Sequence, residues 1–148
     1  MIRYITGDAT NPIGDDNRVI VHICNNVGAW GAGFVIPLGN KYPKTKQIYK
    51  QSKSRVLGDI QLINVENNVY VVNMIAQDDV VHVKNQIPLR YDALRICLKK
   101  VVQEIPAESS IHMPRIGCGL AGGKWIYVEK IIKETIPDHI NVFVYDLK

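Results

Sequence analysis

The chain is poor in the residues that build disulfide frameworks and metal centres. Its 148 residues include three cysteines, Cys24, Cys97 and Cys118, and four histidines, and they contain neither a C-x-x-C nor an H-x-x-x-H pattern. An odd number of unpaired cysteines argues against a disulfide framework, and scattered histidines argue against a metal site. We therefore expect a protein that uses no metal and no other cofactor.

Long apolar segments are also missing, which excludes a helix that spans a membrane. The first ten residues, MIRYITGDAT, turn polar too early for a signal peptide, so we expect a cytoplasmic protein with no membrane partner. The composition, 47% hydrophobic and 22% charged, is typical of a globular protein, and 148 residues fit a single domain over 1–148.

A net charge of +4 slightly favours an anionic ligand. The basic stretch between Lys41 and Arg55 is either a face that contacts phosphate, for example on a nucleic acid, or an ordinary solvated helix face. We favour the solvated face, because charges at this density usually serve solubility.

Strands and helices alternate along most of the chain, which predicts an α/β sandwich with a mixed or mainly parallel sheet. The long polar connection Ala76–Leu89 is a candidate for a functional loop. The predicted strands are Ile2–Thr6, Arg18–Cys24, Asp59–Val65, Val69–Ile75, Ser110–Met113 and Ile140–Tyr145; the predicted helices are Pro43–Ser52, Arg90–Ile105, Lys124–Thr135 and a buried one that starts at Phe34–Leu38.

Two glycine-rich loops each follow a buried strand and open a helix. They are NNVGAWGAG, from Asn25 to Gly33, and GCGLAGG, from Gly117 to Gly123. Exposed backbone N–H groups in such loops bind anions, and ligands of α/β sheets lie beyond the carboxyl ends of the strands. Tight turns would also explain the glycines, but two loops of one kind favour a diphosphate ligand.

Neither common nucleotide motif explains the second loop. GCGLAG matches G-x-G-x-x-G, but a dinucleotide fold carries that motif on its first βαβ unit, and here the sequence ends two residues after Asp146. A phosphate-binding Walker motif fails because Cys118 replaces its first glycine and Trp125 replaces its Ser or Thr.

Three segments together resemble the macrodomain family. They are ITGDAT at Ile5–Thr10, VIVHICNNVGAWGAGF at Val19–Phe34 and MPRIGCGLAGGKW at Met113–Trp125. The branch they resemble contains terminal ADP-ribose protein glycohydrolase and the ADP-ribose 1''-phosphate phosphatases. The resemblance implies a three-layer α/β/α sandwich with a mixed, mainly parallel sheet and an ADP-ribose cleft at the carboxyl ends of its strands.

The resemblance also implies the ligand contacts. Asp8 would accept a hydrogen bond from adenine, unless it serves as a helix cap or a turn. Trp30 would cover the distal ribose or phosphate, and one aromatic of the last strand, Tyr145 or Phe143, would lie against adenine while the other faces the core. The implied ligand-binding set is Asp8, Ala9, Asn25, Trp30, Gly31, Ala32, Gly33, Gln77, Gly117, Cys118, Gly119, Leu120, Ala121 and Tyr145.

The chain departs from the glycohydrolase pattern where that branch carries a lysine and an aspartate. Gln77 and Ala121 hold those places, and neither supports a lysine-dependent mechanism. The catalytic candidates that remain are Asn25, His22 and Asp78; His112 and Asp79 are further possibilities.

Each of these candidates has a structural alternative. A strand histidine usually bonds to a neighbouring group, and a loop aspartate is usually a solvated charge. Cys118 lies where a helix start would lower a thiol pKa, but the resemblance needs only a small residue there. Trp125 fits the apolar side of its helix and is expected in the core.

We therefore expect a metal-independent hydrolase of an ADP-ribose derivative. Its substrate would be ADP-ribose 1''-phosphate, O-acetyl-ADP-ribose, or an O-linked ADP-ribosyl group, attached to a protein or a nucleic acid through an oxygen or a phosphate. The alternative is a non-catalytic reader of free or attached ADP-ribose, which the missing lysine and aspartate favour.

Overall fold

The computed structural model describes residues 1–80 and 86–148. Residues 81–85, in the middle of the predicted connection 76–89, lie outside the described part. Six strands form one sheet in the order β1-β6-β5-β2-β4-β3. The strands are β1 Ile2–Thr6, β2 Asn17–Asn25, β3 Ile60–Glu66, β4 Val69–Gln77, β5 Ser109–Met113 and β6 Val142–Asp146.

Five of the strands run parallel, and only β3 pairs antiparallel, with β4. The carboxyl ends of the parallel strands therefore meet at one edge of the sheet. That edge carries Thr6, Asn25, Gln77, Met113 and Asp146. It is the edge at which a sheet of this kind binds its ligand.

Four helices cover the two faces of the sheet. α1 (Val35–Lys41) and α2 (Pro43–Gln51) pack on one face, and α3 (Tyr91–Glu104) and α4 (Trp125–Thr135) pack on the other. The expected three-layer α/β/α sandwich with a mixed, mainly parallel sheet is thus confirmed. Within residues 1–80 and 86–148, no helix has the length and apolar character needed to cross a bilayer.

The central strand β2 explains why both layers form. Val19 and Val21 face the core beneath α3 and α4, whereas Ile20 faces the core beneath α1 and α2. All three side chains are fully buried. A strand that packs helices on both faces needs a near-continuous apolar run, and RVIVHIC supplies one.

Two predictions about the helices were wrong. α1 is a surface helix, because only Leu38 among its residues is buried. Trp125 is half-buried rather than part of the core: its indole N–H donates to the hydroxyl of Tyr4 at 2.9 Å. The buried side of α4 is formed by Val128, Ile131 and Ile132, and Trp125 instead packs against the edge strand β1.

Candidate functional site

A cleft of about 200 Å³ lies at the carboxyl edge of the sheet, between the two glycine-rich loops. Eight of the predicted site residues line it: His22, Ala32, Gly33, Gln77, Gly117, Gly119, Leu120 and Ala121. The prediction missed six others that also line it: Ile23, Phe34, Val35, Pro114, Arg115 and Ile116. Those that do not line it are Asp8, Ala9, Asn25, Trp30, Gly31, Asp78, Cys118 and Tyr145.

A larger depression, about 480 Å³, lies between β1 and α4. It is lined by apolar side chains such as Ile132 and Ile136, and neither glycine loop contributes to it. The smaller cleft is the better candidate because it sits where the strands end and the loops converge.

The two loops face each other across the cleft. A Cβ atom built on Gly33 would lie 3.9 Å from Cδ1 of Leu120, whose side chain is 67% exposed. A Cβ atom on Gly31 or on Gly119 would meet nothing within 4 Å. Gly31 and Gly119 therefore border open space in which another molecule has room to approach the backbone.

Several backbone N–H groups of both loops have no hydrogen-bond partner within residues 1–80 and 86–148. In the first loop they belong to Gly31, Ala32 and Gly33; in the second they belong to Gly117, Gly119, Leu120 and Ala121. Unpaired amides on two facing loops favour an anion with more than one charged group.

The other glycines of the second loop serve packing. A Cβ atom on Gly117, which has a φ of +74°, would lie 2.9 Å from Leu89, and one on Gly123 would lie 2.6 Å from the carbonyl oxygen of Gly117. The N–H of Gly123 donates to that same oxygen at 2.7 Å. These two glycines let the loop close over Leu89, so only part of the glycine cluster is open to a ligand.

Asn25 organises the first loop from within. Its Oδ1 accepts hydrogen bonds from the N–H groups of Val27 and Ala29 and from the hydroxyl of Tyr49, at 3.1, 3.0 and 2.7 Å. Its Nδ2 donates to the carbonyl of Ala29 at 2.8 Å. Because Oδ1 already accepts three hydrogen bonds and the side chain does not line the cleft, this geometry does not support the catalytic role expected for Asn25.

Trp30 belongs to the core and is not a lid. The side chain is only 5% exposed, and its ring packs against Tyr49 and His22 at centroid distances of 5.3 and 5.6 Å. A Cβ atom on Gly39 would lie 2.7 Å from the indole nitrogen, so the missing side chain of Gly39 makes room for the ring. The expected contact of the Trp30 side chain with the distal ribose is therefore corrected.

His22 forms part of the cleft floor. Its Nε2 lies 2.5 Å from Oδ1 of Asn73, whose Nδ2 donates to Thr45 and Gln61. This network makes Asn73 Oδ1 an acceptor, so His22 carries its proton on Nε2. Burial lowers the pKa of His22 to about 4, opposed by the bond to Asn73. Such a neutral imidazole is a poor proton acceptor near neutral pH.

Asp78 lies beside the cleft at the end of β4. Its Oδ1 accepts a hydrogen bond from Nδ2 of Asn26 at 3.0 Å, and its Oδ2 forms an ion pair with Arg90 at 3.4 Å. Asn26 also accepts from the N–H of Asp79 through Oδ1, and its own N–H donates to the carbonyl of Gln77. Asn26 therefore connects the first loop to the segment that carries Asp78. In the sequence, only the position of Asn26 next to Asn25 pointed to this role.

Asp8 forms a turn, which was the expected alternative to a contact with adenine. Its Oδ1 accepts from the N–H and the hydroxyl of Thr10, at 2.9 and 2.8 Å. The side chain is exposed, whereas that of Ala9 is buried. Within the described residues Oδ2 has no partner, so it remains available as an acceptor.

Phe143 and Tyr145 face the same side of the sheet, contrary to the expectation that one would face away. Residues two apart on a strand share a face. Both rings contact His112, at centroid distances of 5.0 and 5.7 Å. Tyr145 is 4% exposed, so its ring is covered in this structure.

Cys118 has none of the features of a nucleophile. Burial raises the pKa of its thiol, against the opposing effect of Arg115. Its Sγ donates to the carbonyl of Ile116 at 3.3 Å, and its N–H points to the carbonyl of Arg115 at 3.4 Å. The backbone N–H of Cys118 thus turns away from the anion site that the resemblance had implied.

Arg115 adds a charged group that the sequence prediction missed. Its guanidinium pairs with both carboxylate oxygens of Asp146, at 2.7 and 3.1 Å, and lies over the rings of Tyr4 and Trp125. The paired guanidinium lowers the pKa of the Asp146 carboxyl below its ordinary value. The signal that was available is the arginine inside MPRIGCGL, directly before the glycine loop.

Most cations of the basic stretch between Lys41 and Arg55 also bond within the protein. Lys41, Lys44 and Lys50 donate to the backbone carbonyls of Thr10, Asn64 and Gly28. Arg55 donates to the carbonyls of Tyr49 and Lys50, at 3.3 and 3.1 Å. The lysines of the stretch, including Lys46 and Lys53, are exposed to solvent, as the favoured solvated face implies.

Comparisons with known proteins agree with this architecture. No family model matches the chain. It is 30% identical over 156 residues to an ADP-ribose 1''-phosphate phosphatase of Candida albicans, an alignment that spans 97% of this chain and 99% of that protein.

Two solved structures resemble the chain over nearly its whole length. A Bacteroides thetaiotaomicron protein described as of unknown function is 51% identical with a TM-score of 0.94, over 99% of this chain and 98% of the other. A macrodomain protein from Streptomyces coelicolor is 36% identical with a TM-score of 0.84, over 99% of both chains. The chain belongs to the macrodomain family, which confirms the resemblance found in its sequence.

Proposed function

We propose that this macrodomain binds ADP-ribose and hydrolyses an ADP-ribose derivative at its distal end. The observation that carries the proposal is the cleft between two loops whose backbone carries several N–H groups without a hydrogen-bond partner within the described residues. The fungal phosphatase that spans almost the whole chain supports the same class of substrate. The distal ribose would then lie at the end of the cleft near Gln77 and Ala121.

The amides of the two loops would hold the diphosphate, and they also stabilise negative charge that develops during hydrolysis. Oδ2 of Asp8 would accept a hydrogen bond from the adenine amino group. His22 would support the cleft floor as a neutral imidazole that donates from Nε2 to Asn73. No metal is required in this scheme. A cytoplasmic location belongs to the same proposal and is supported by the free cysteines Cys24, Cys97 and Cys118.

Asp78 is the best remaining proton acceptor for the attacking water. Asn26 and Arg90 fix the orientation of its carboxylate beside the cleft, whereas neither of them bonds to the carboxylate of Asp79. The ion pair with Arg90 holds one carboxylate oxygen in place, while the 46% exposed side chain lets water approach. A positioned general base of this kind contributes about 10²–10⁴-fold to a rate.

Calorimetric titration with ADP-ribose, followed by phosphate release from ADP-ribose 1''-phosphate, tests the proposal. Parallel reactions would use O-acetyl-ADP-ribose and an ADP-ribosylated protein and oligonucleotide. Asp78→Asn should lower kcat by about 10²-fold or more and leave the ADP-ribose Kd unchanged. Asp79→Asn is the matched control, because the Asp79 carboxylate binds only the N–H of Val80 within the described residues.

A non-catalytic reader is the alternative, and one observation favours it. Gln77 lines the cleft but spends its amide on the carbonyl of Asp79, at 3.0 Å, and Ala121 offers no proton acceptor. Binding of ADP-ribose without turnover of any of the four substrates would establish the reader. Absence of binding would refute both functions.

A further inference from the structure

A buried chain of hydrogen bonds lies beneath the segment that carries Asp8. The hydroxyl of Tyr145 lies 2.7 Å from Nδ1 of His112, and Nε2 of His112 lies 2.7 Å from Oγ of Ser110. Tyr145, His112 and Ser110 are all buried. None of the three lines the cleft between the loops.

The direction of these bonds follows from the N–H of Ile13, which bonds to the Tyr145 hydroxyl. The N–H of Ile13 donates to the hydroxyl oxygen of Tyr145 at 3.0 Å. The phenol proton is therefore free to point at Nδ1 of His112, and the imidazole proton then sits on Nε2 and points at Ser110. Stacking of His112 on Phe143, with 17° between the rings, fixes the imidazole plane. The result is a rigid, buried chain of hydrogen-bonded side chains that ends at the hydroxyl oxygen of Tyr145.

That oxygen bonds to a segment that other side chains also hold, since the hydroxyl of Tyr42 and Nη1 of Arg18 donate to the carbonyls of Thr10 and Pro12, each at 3.2 Å. The N–H of Gly7 donates to the carbonyl of Asp146 at 2.9 Å, and Nζ of Lys41 donates to the carbonyl of Thr10 at 2.7 Å. The ring of Tyr145 also packs beneath Gly7, where a Cβ atom would lie 3.4 Å from its Cδ2. Tyr145 thus supports the segment from below at both Gly7 and Ile13, and Asp8 lies between these two points.

We propose that Tyr145 is a positioning residue for ligand recognition: through its bond to Ile13 it holds the Gly7–Ile13 segment, and with it Asp8, against the adenine-bearing half of the ligand. This inference rests on the proposed binding of ADP-ribose. It replaces the expected contact between the Tyr145 ring and adenine with an indirect role, which the burial of the ring and the use of its hydroxyl both support.

Tyr145→Phe removes the hydroxyl and keeps the ring. We expect about five- to tenfold weaker binding of AMP and of ADP-ribose, the loss typical of one buried hydrogen bond, and unchanged binding of ribose 5-phosphate. In an enzyme assay KM should rise by the same factor while kcat stays constant. Tyr127→Phe, at a 52% exposed tyrosine on α4, is the matched control and should change none of these values.

A double-mutant cycle with Asp8→Ala separates positioning from general support of the fold. If Tyr145 acts through the segment, Tyr145→Phe should weaken AMP binding much less in the Asp8→Ala background. Equal affinity of Tyr145→Phe and wild type for AMP would overturn the inference. Loss of all three ligands alike, or failure of the variant to fold, would also overturn it by showing a role in the whole sheet. A wild-type protein that binds none of the ligands would instead refute the proposed function.

Discussion

Gly119 and Gly123 belong to the same loop, but the space around them differs: Gly119 borders open space, whereas Gly123 is closely packed. A Cβ atom on Gly119 would meet nothing within 4 Å. A Cβ atom on Gly123 would lie 2.6 Å from the carbonyl oxygen of Gly117 and would also overlap the Leu89 side chain. Neither glycine has a positive φ, so alanine at the two positions differs in its surroundings and not in backbone strain.

Gly123→Ala should destabilise the fold by about 1.5–4.5 kcal/mol. Overpacking costs about 1–3 kcal/mol, and loss of the bond from Gly123 N–H to Gly117 adds about 0.5–1.5 kcal/mol. Since about 1 kcal/mol shifts the Tm of a chain of this size by roughly 2–4 °C, the Tm should fall by roughly 3–18 °C. Gly119→Ala should leave the Tm unchanged or raise it slightly, because alanine restricts the unfolded chain.

For ADP-ribose affinity, by contrast, the loss should come from Gly119→Ala. The Gly119→Ala methyl projects into the space that the diphosphate is proposed to occupy, so ADP-ribose affinity should fall at least about tenfold in a fully folded protein. Thermal melts and calorimetric titrations of both variants measure the two effects. Wild-type stability of Gly123→Ala would refute the packing argument, and wild-type affinity of Gly119→Ala would show that the open space is not the ligand's.

Two further outcomes follow from buried groups. Burial lowers the pKa of both His22 and His112 to about 4, from 6.5 in the unfolded chain, so the unfolded chain binds more protons between these values. The free energy of unfolding should therefore decline as pH falls through this window. Measured by urea unfolding, it should be lower at pH 5 than at pH 7 by about 2 kcal/mol for each histidine. A free energy of unfolding that does not change with pH would contradict the neutral buried state. Cys118→Ala should retain wild-type turnover and ADP-ribose affinity, because burial raises the thiol pKa and the sulfur is not exposed in the cleft; a loss of kcat alone would instead point to a nucleophile.

Most elements could be read from the sequence because apolar periodicity directly reports which residues face the sheet. β1 spans the predicted residues, and α3 (Tyr91–Glu104) differs from its prediction by one residue at each end. The two cleft-forming loops were also identified, since glycine density at a strand-to-helix joint is visible without any three-dimensional information.

The two tryptophans show what periodicity does not report. Trp30 lies in a glycine-rich loop and looks exposed, but it is buried because Gly39, on α1, leaves room for its indole. Trp125 lies on the apolar side of a helix and looks buried, but it packs at the surface with Tyr4 and Arg115. In both cases the outcome depends on a contact between distant parts of the chain.

Side-chain hydrogen bonds were the other source of error at the site. Asn25 was expected to face the ligand, yet its oxygen accepts three bonds from its own loop and from α2. Its neighbour Asn26 was passed over, although it links the first loop to Asp78. A sequence shows that two asparagines follow a strand, but the direction of each side chain depends on the strand's last peptide units and on the loop that follows.

These internal bonds also hold the two loops of the proposed anion site in shape. Asn25 closes the turn from Val27 to Ala29, and Lys50 donates to the carbonyl of Gly28 from α2. The turn that precedes the unpaired amides of residues 31–33 is thus fixed by the protein. On the other side, Gly117 and Gly123 close the second loop by their mutual bond. Loops that are held by internal bonds lose little conformational entropy on binding, so the proposed donors would be in place for a ligand and for charge that develops during the proposed hydrolysis.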